Sequence, residues 1–366
     1  MEIAMRHGLT TSMSKFDLEL DKLNNFIEEK CGGKEFYFGC WSAEDFDFGH
    51  TNVPANIQLE RGKNWLVLRN GADRTKGLIF PKKYENDPDL VVFRGYLADE
   101  TLHSYSDPQG IKEYWSGELM KQHNGMFSAI TITEGGEKLN IITDLFGIGP
   151  IYTRKIDNLI FFSTAPGLLS CEDDEPDMEA WYMRLIIGSV PDDKSLSKSI
   201  ALNESASVTT YTSNGQTINK WYDINLFPIG GKLVNEETLE QSEKYFSEAV
   251  KKCLNLKNGN IILPLSGGYD SRRIFAHLEK NKANFETITV QMPTKTGADV
   301  DAIIASRIAK DHDVKNTILK YPPEPQWYTN TIRRVLALDG LCDSHTWAPP
   351  LFEEIGYQNC CIYDGI

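Results

Sequence analysis

Apolar and aromatic residues in the first half of the chain come in short runs separated by polar, Gly- and Pro-containing breaks. The runs are EFYFGCW (35–41), WLVLR (65–69), LVVFRGYL (90–97), MFSAITIT (126–133), LNIITDL (139–145) and LIFFS (159–163). Their length and β-branched or aromatic content suit partly buried antiparallel strands, so sheet is expected to dominate to about residue 165. An acidic stretch, CEDDEPD at 171–177, is followed by an apolar segment at 180–190, two short candidate strands at 205–212 and WYDINLFPIGGK at 221–232. A domain boundary is expected near 230–236, because the pattern then changes period. In NEETLEQSEKYFSEAVKKCL (235–254), Leu239, Tyr245, Phe246, Ala249 and Leu254 fall at mixed three and four spacings, with acids early and lysines late, which predicts a helix. A strand (260–265), a helix (271–280), a strand (286–291), a helix (299–311) and a strand (316–320) are expected next. Such alternation predicts parallel strands with crossover helices, whose ligands bind at the carboxyl ends of the strands.

Composition narrows the classes. With 366 residues, 41% hydrophobic and 25% charged, the chain is long and apolar enough for two cores and is not a disordered polymer. Lys+Arg 38 against Asp+Glu 52 leaves a net charge of -14, which argues against a phosphate-neutralising surface and hence against nucleic acid as a partner. The longest apolar runs, such as IILPL (261–265) and LIFF (159–162), are far shorter than the ~18 residues a membrane helix needs. The opening MEIAMRHGLTTSMSK lacks the layout of a secretory signal, so a cytoplasmic location is expected. The seven cysteines form no CxxC pair, and reduced thiols are expected rather than a disulfide framework or a zinc site.

The most specific chemistry lies in SGGYDS, Ser266 to Ser271, placed between the expected strand IILPL and a helix carrying Ile274, Phe275 and Leu278. Gly267 and Gly268 let the backbone turn sharply and bring N–H groups toward an anion. The helix adds its positive end, and Ser266 and Ser271 offer hydroxyl donors. Asp270 repels a phosphate directly but suits a Mg²⁺ that binds pyrophosphate oxygens. An ordinary glycine turn is the structural alternative, although S-G-G-x-D-S arises by chance only on the order of once per few thousand such chains. No GxxxxGK[ST] occurs, so the loop is not a Walker A loop.

SGGYDS resembles the PP-loop of N-type ATP pyrophosphatases, and the chain from about residue 90 to 366 resembles asparagine synthetases and their β-lactam synthetase relatives. NGMFSAITI (124–132), IITDLFGIGPIYTRK (141–155) and LIFFSTAPGLLS (159–170) are similar to elements of that family's glutaminase domain. The segment 195–224 is similar to its joining segment, and ADVDAIIASRIAKDHDV (298–314) to the helix after its adenine-contacting strand. The resemblance implies an α+β then α/β fold, an antiparallel Ntn-hydrolase-like sandwich followed by a parallel-sheet PP-loop domain. It divides the chain into an extension (1–33), a class II glutamine amidotransferase-like domain with its joining segment (34–232) and an ATP-binding domain (235–366). ATP and Mg²⁺ are the implied cofactors, and a small-molecule carboxylate with ammonia or an amine the implied partners; a homodimer is allowed. By the same resemblance Leu265, Ser266, Gly267, Gly268, Asp270, Ser271, Val290, Asp364 and Gly365 bind ATP or pyrophosphate, with Asp270 holding the metal. Arg272 could reach a phosphate or a substrate carboxylate, or lie on a solvated helix face.

Two departures qualify the resemblance. The family nucleophile is an amino-terminal Cys acting with its own α-amino group, whereas this chain begins Met1-Glu2. Cys31 would become terminal only after cleavage, and Cys40 reads as core. Gly95 and Asp107 match glutamine-pocket positions, but Arg94 replaces the family Asn and Asp107 beside Pro108 also reads as a surface turn. The expectation is a glutaminase fold without glutaminase activity. CIYDGI resembles the opening of the family's next acidic loop, so a fragment of a longer protein is expected. The readings left open are an AMP-forming amide ligase acting on aspartate or a related acid, a non-catalytic nucleotide-binding protein, and a glutamine-hydrolysing synthetase processed to Cys31. His277, His312 and His345 read as satisfied structural histidines, and the Trp181-Tyr182 and Trp221-Tyr222 pairs as packing.

Overall fold

The computed structural model describes residues 36–46, 57–70, 78–81, 89–98, 124–171, 174–190, 194–222, 235–255, 259–292, 299–321, 347–356 and 360–364. The chain divides into two compact units, one of Met1–Phe227 with Val335–Ser344 and one of Pro228–Arg334 with His345–Ile366. Among the described residues no helix is long and apolar enough to cross a membrane.

Among the described residues the first unit holds two antiparallel six-stranded sheets. The strands are β1 (Tyr37–Ser42), β2 (Ile57–Arg61), β3 (Trp65–Asn70), β4 (Leu78–Pro81), β5 (Leu90–Ala98), β6 (Asn124–Thr133), β7 (Lys138–Thr143), β8 (Tyr152–Ile156), β9 (Leu159–Ser163), β10 (Ala201–Leu202), β11 (Ser207–Thr212) and β12 (Gly215–Lys220). One sheet runs β10-β8-β9-β1-β3-β2 and the other β12-β11-β7-β6-β5-β4. The period of two explains their stacking. Tyr37, Trp41, Trp65, Val67, Ile160 and Phe162 of the first sheet share one core with Leu90, Val92, Ile130, Ile132, Leu139 and Ile141 of the second. The alternate positions Phe36, Phe38, Cys40, Leu66, Leu68 and Phe161 form a second core on the outer face of the first sheet. The central strand β1 is therefore buried on both faces.

Strand β7 stops at Thr143, earlier than the expected 145, because Asp144 turns the chain. Its carboxylate, 0% exposed, accepts four backbone N–H groups. Oδ2 takes Phe127 at 3.1 Å and Gly149 at 2.9 Å, and Oδ1 takes Phe146 at 2.9 Å and Ile148 at 3.1 Å. One side chain thus supplies the acceptors that the irregular backbone of 145–149 lacks. The apolar segment after residue 177 is a helix, α1 (Met178–Ile187), with Asp177 accepting from the Ala180 N–H as its N-cap and left-handed Gly188 ending it. Only Ala180 of this helix is buried. The expectation of packing fails for Trp181 and Tyr182, which are 39% and 58% exposed, because the helix is apolar around most of its circumference and only one stripe meets the unit. In the second pair Tyr222 is likewise 39% exposed, whereas the Trp221 indole Nε1 is buried without a hydrogen-bond partner.

The second unit is a parallel sheet in the order β15-β14-β13-β16, from β13 (Asn260–Pro264), β14 (Phe285–Gln291), β15 (Asn316–Lys320) and β16 (Cys360–Ile362). Among the described residues its helices are α2 (Glu236–Asn255), α3 (Tyr269–Lys280), α4 (Val300–Asp311) and α5 (Ala348–Ile355). Ile261, Leu263 and Leu265 pack with Val250 of α2, Ile274, Phe275 and Leu278 of α3, and Ala305 and Ala309 of α4. Ile262 and Ile288 point the other way, onto Leu351 and Ile355 of α5. The sheet is thus covered on both faces, as parallel sheets require. Helix α2 starts with a reciprocal cap, Thr238 N to Asn235 Oδ1 at 2.8 Å and Asn235 N to Thr238 Oγ1 at 3.0 Å. It is tied to α3 through Glu243, which meets Arg273 at 3.0 Å and His277 Nε2 at 2.7 Å. His277 is satisfied at that nitrogen only, since its buried Nδ1 has no partner. His312 pairs with Glu279, and His345 lies outside the described residues.

Candidate functional site

At the carboxyl end of β13 the chain makes the turn Leu265–Gly268 and enters α3. Leu265 is fixed from both sides, its N–H donating to the Ile288 carbonyl at 2.9 Å and its carbonyl accepting the Thr289 hydroxyl at 2.8 Å. The serines then close the loop on itself. Ser266 N–H donates to Ser271 Oγ at 3.1 Å, the two hydroxyls are 3.0 Å apart, and Gly268 N–H donates to Ser266 Oγ at 3.1 Å. Gly267 N–H donates to Asp301 Oδ1 at 3.0 Å, a contact across 34 residues.

Helix α3 begins at Tyr269 with Gly268 as N-cap and no side-chain cap. Helix starts leave several amides without intrahelical acceptors, and the contrast with α4 is direct. There Asp299, 7% exposed, accepts from Asp301 N at 3.0 Å and Ala302 N at 3.4 Å, and from Met292 N at 2.7 Å. The α3 amides open instead onto a cleft of about 260 Å³ lined by Leu265, Ser266, Gly268, Asp270 and Ser271, by Val290 and Thr289 of β14, by Asp299 and Asp301, by Trp347 and Leu351, and by Asp364.

The residues singled out in the sequence fall as follows. Leu265, Ser266, Gly268, Asp270, Ser271, Val290 and Asp364 line this one cleft, and Gly267 is in the same turn. Gly365 lies outside the described residues. Arg272 does not line the cleft: its Nε donates to the Gly268 carbonyl at 3.1 Å and its guanidinium lies 4.7 Å from the Tyr269 ring centroid. Asp299 and Asp301 were not singled out by sequence reading. Their link to the loop joins distant positions, and no local spacing signals it.

The donor set suits a metal-bound polyphosphate. Uncapped amides and serine hydroxyls suit phosphate oxygens, whereas Asp270 and Asp364, both exposed carboxylates, suit a hard cation. Among the described residues no group of three or more His, Cys, Asp or Glu stands close enough to hold a metal unaided.

In the first unit, Cys31 and Asp107 lie outside the described residues. Cys40 is in the core, 1% exposed, and burial pushes its thiol well above the ordinary range; it holds no thiolate to act as a nucleophile. Iodoacetamide at about pH 8 is expected to leave Cys40 unmodified until denaturant is added. Labelling of the native protein at that cysteine, read by peptide mass, would contradict the burial. Gly95 sits opposite Phe127 in the β5–β6 pairing with φ +111, and a Cβ there would collide with the Met126 carbonyl oxygen. Its conformation and close contact account for glycine at this position.

No family model matches the chain. Over 343 residues it is 24% identical to asparagine synthetase [glutamine-hydrolyzing] 1 of Bacillus subtilis (strain 168), a match covering 90% of this chain and 51% of that protein. The chain therefore spans about half the length of this curated relative. Among solved structures, the glutamine phosphoribosylpyrophosphate amidotransferase of B. subtilis complexed with ADP and GMP aligns at 8% identity and a TM-score of 0.32, covering 89% of this chain and 90% of that one. A second, described as the allosteric regulatory enzyme of purine biosynthesis, aligns at 9% identity and a TM-score of 0.30, covering 90% and 80%. In sequence, then, the chain is similar along nine-tenths of its length to an asparagine synthetase.

Proposed function

We propose that the chain carries the ATP-binding part of an amide ligase that forms AMP and pyrophosphate. In this reaction a substrate carboxylate oxygen attacks the α-phosphorus, and the bond from that phosphorus to the α–β bridging oxygen breaks. Pyrophosphate leaves with the electron pair. Ammonia or an amine then attacks the acyl carbon, AMP departs, and loss of a proton gives the amide. The carboxylate is aspartate or a related acid, and the amine can come from solution or from the substrate itself.

The observation that carries this reading is the uncapped start of α3 behind the SGGYDS turn, in a cleft shared with Val290 and Asp364. Charge in the proposed displacement builds on the departing pyrophosphate, and fixed amides at that place need no reorganisation as it builds. Ser266 and Ser271 add hydroxyl donors. Asp270 would hold Mg²⁺ with Asp364 at the edge of the site, and the ion would supply charge neutralisation to the β- and γ-phosphates. Val290 offers its strand backbone to the adenine ring.

The deciding experiment incubates the protein with ATP, Mg²⁺, ammonium and a panel of carboxylates, aspartate first, and identifies the nucleotide products. AMP with pyrophosphate is the expected pair. ADP with inorganic phosphate would overturn the proposed chemistry. Binding of ATP without turnover across the panel would make the chain a nucleotide-binding protein instead.

A further inference from the structure

Three amides of the glycine turn have acceptors within the protein: Ser266 in Ser271 Oγ, Gly267 in Asp301 Oδ1, and Gly268 in Ser266 Oγ. Two of these acceptors belong to the loop itself. The third, Asp301, comes from the first turn of α4 and is anchored in its own right, since its backbone N–H donates to Asp299 Oδ1 and Asp299 Oδ2 holds the Met292 N–H at the end of β14. A chain of contacts thus runs from the end of β14 through Asp299 and Asp301 to Gly267. Glycine is needed at its last link, where a Cβ would lie 2.5 Å from Asp301 Oδ1 and 3.1 Å from Ile304 Cδ1.

An ionised acceptor makes a stronger hydrogen bond than a neutral one, so Asp301 is the external tie on a turn otherwise braced by serine hydroxyls. It is also a carboxylate in a cleft proposed to receive phosphates, where its charge opposes the ligand. The two effects have opposite signs on affinity.

We propose that the tie outweighs the repulsion and that Asp301 is a positioning residue of the nucleotide site. By fixing Gly267 it sets the curvature of the turn, and the uncapped amides of α3 stay placed for the β- and γ-phosphates. This rests on the ATP reading above. Its scope is the polyphosphate half of the ligand, because Val290 and the adenine side of the cleft do not depend on Gly267.

Calorimetric titration of the chain and of its Asp301→Ala and Asp301→Asn variants with Mg²⁺-pyrophosphate, Mg²⁺-ATP and adenosine tests this. Position 301 is exposed, and melting temperatures check that both variants fold. Asp301→Ala is expected to weaken pyrophosphate and ATP roughly tenfold, the scale of a lost charge-assisted hydrogen bond, and to leave adenosine unchanged. Asp301→Asn keeps an oxygen acceptor for Gly267 and should recover most of the loss. Equal or tighter binding of pyrophosphate by Asp301→Ala overturns the proposal, as does a parallel loss of adenosine. If neither the parent chain nor either variant binds ATP or pyrophosphate, the nucleotide reading itself falls and takes this one with it.

Discussion

Replacing Asp144 with alanine is expected to destabilise the first unit by about 3–5 kcal/mol. The substitution strands the N–H groups of Phe127, Phe146, Ile148 and Gly149, all of which now end on one carboxylate. An unpaired buried donor costs about 1–3 kcal/mol, and opening of the 145–149 turn to water recovers part of the sum. The remainder is a large share of a typical domain stability of roughly 5–15 kcal/mol. Asp144→Asn is no remedy. Each carboxylate oxygen accepts two N–H groups, so whichever way the amide is turned its NH₂ faces two donors. Urea unfolding gives the magnitude, and hydrogen exchange at those four amides gives the location. A loss under about 1 kcal/mol would show that the turn is held by something other than this carboxylate.

Asp270→Ala is expected to weaken nucleotide binding in Mg²⁺ by about 100-fold or more. Charge stabilisation by a bound metal is worth several kcal/mol, and each 1.4 kcal/mol is tenfold in affinity. The sign reverses without the metal. With chelator present, the wild-type carboxylate faces the phosphates uncompensated, so the alanine variant should bind ATP at least as tightly as the parent. Titrations with and without Mg²⁺ separate the metal role from a general defect, which would lower affinity in both conditions. Equal affinity of parent and variant in Mg²⁺ would remove Asp270 from the metal site.

How far the sequence could be read depended on whether the determining contacts were local. LIFFS is β9 with the expected bounds, because five consecutive buried side chains follow a turn at Asp157–Asn158. The adjacent β8, YTRKI, was not anticipated, since Arg154 and Lys155 make it look like loop. Arg154 is in fact only 11% exposed in its side chain, paired with Asp174 at 2.6 Å and bonded to the Leu169 carbonyl at 2.9 Å. Strand β12, GQTINK, is exposed throughout and exists because β11 offers a ladder beside it; it has no apolar pattern to read. Helix α1 was legible as apolar but not in its exposure. At the site, SGGYDS is a six-residue signature and could be read at once. Asp299 and Asp301 act on partners 7 and 34 residues away, through a fold that had to be known first.

The order β15-β14-β13-β16 also bears on how the site comes into being. Asn260 pairs with Cys360, so β16, which leads into Asp364, joins its neighbour across about a hundred residues of intervening chain. Closing an unfolded chain of that length costs roughly 4 kcal/mol of entropy, offset by a ladder of three paired positions, by the Tyr363 N–H on the Ile262 carbonyl and by packing of Cys360, Ile362 and Tyr363 against the two cores. Contacts of such long range form slowly. The glycine turn draws on partners no more than 34 residues away, Ile288, Thr289 and Asp301, while Asp364, which follows β16, arrives late. In refolding, the burial of Leu263 and Phe275 should therefore precede competence to bind the metal nucleotide, and the interval between them would measure the docking of β16.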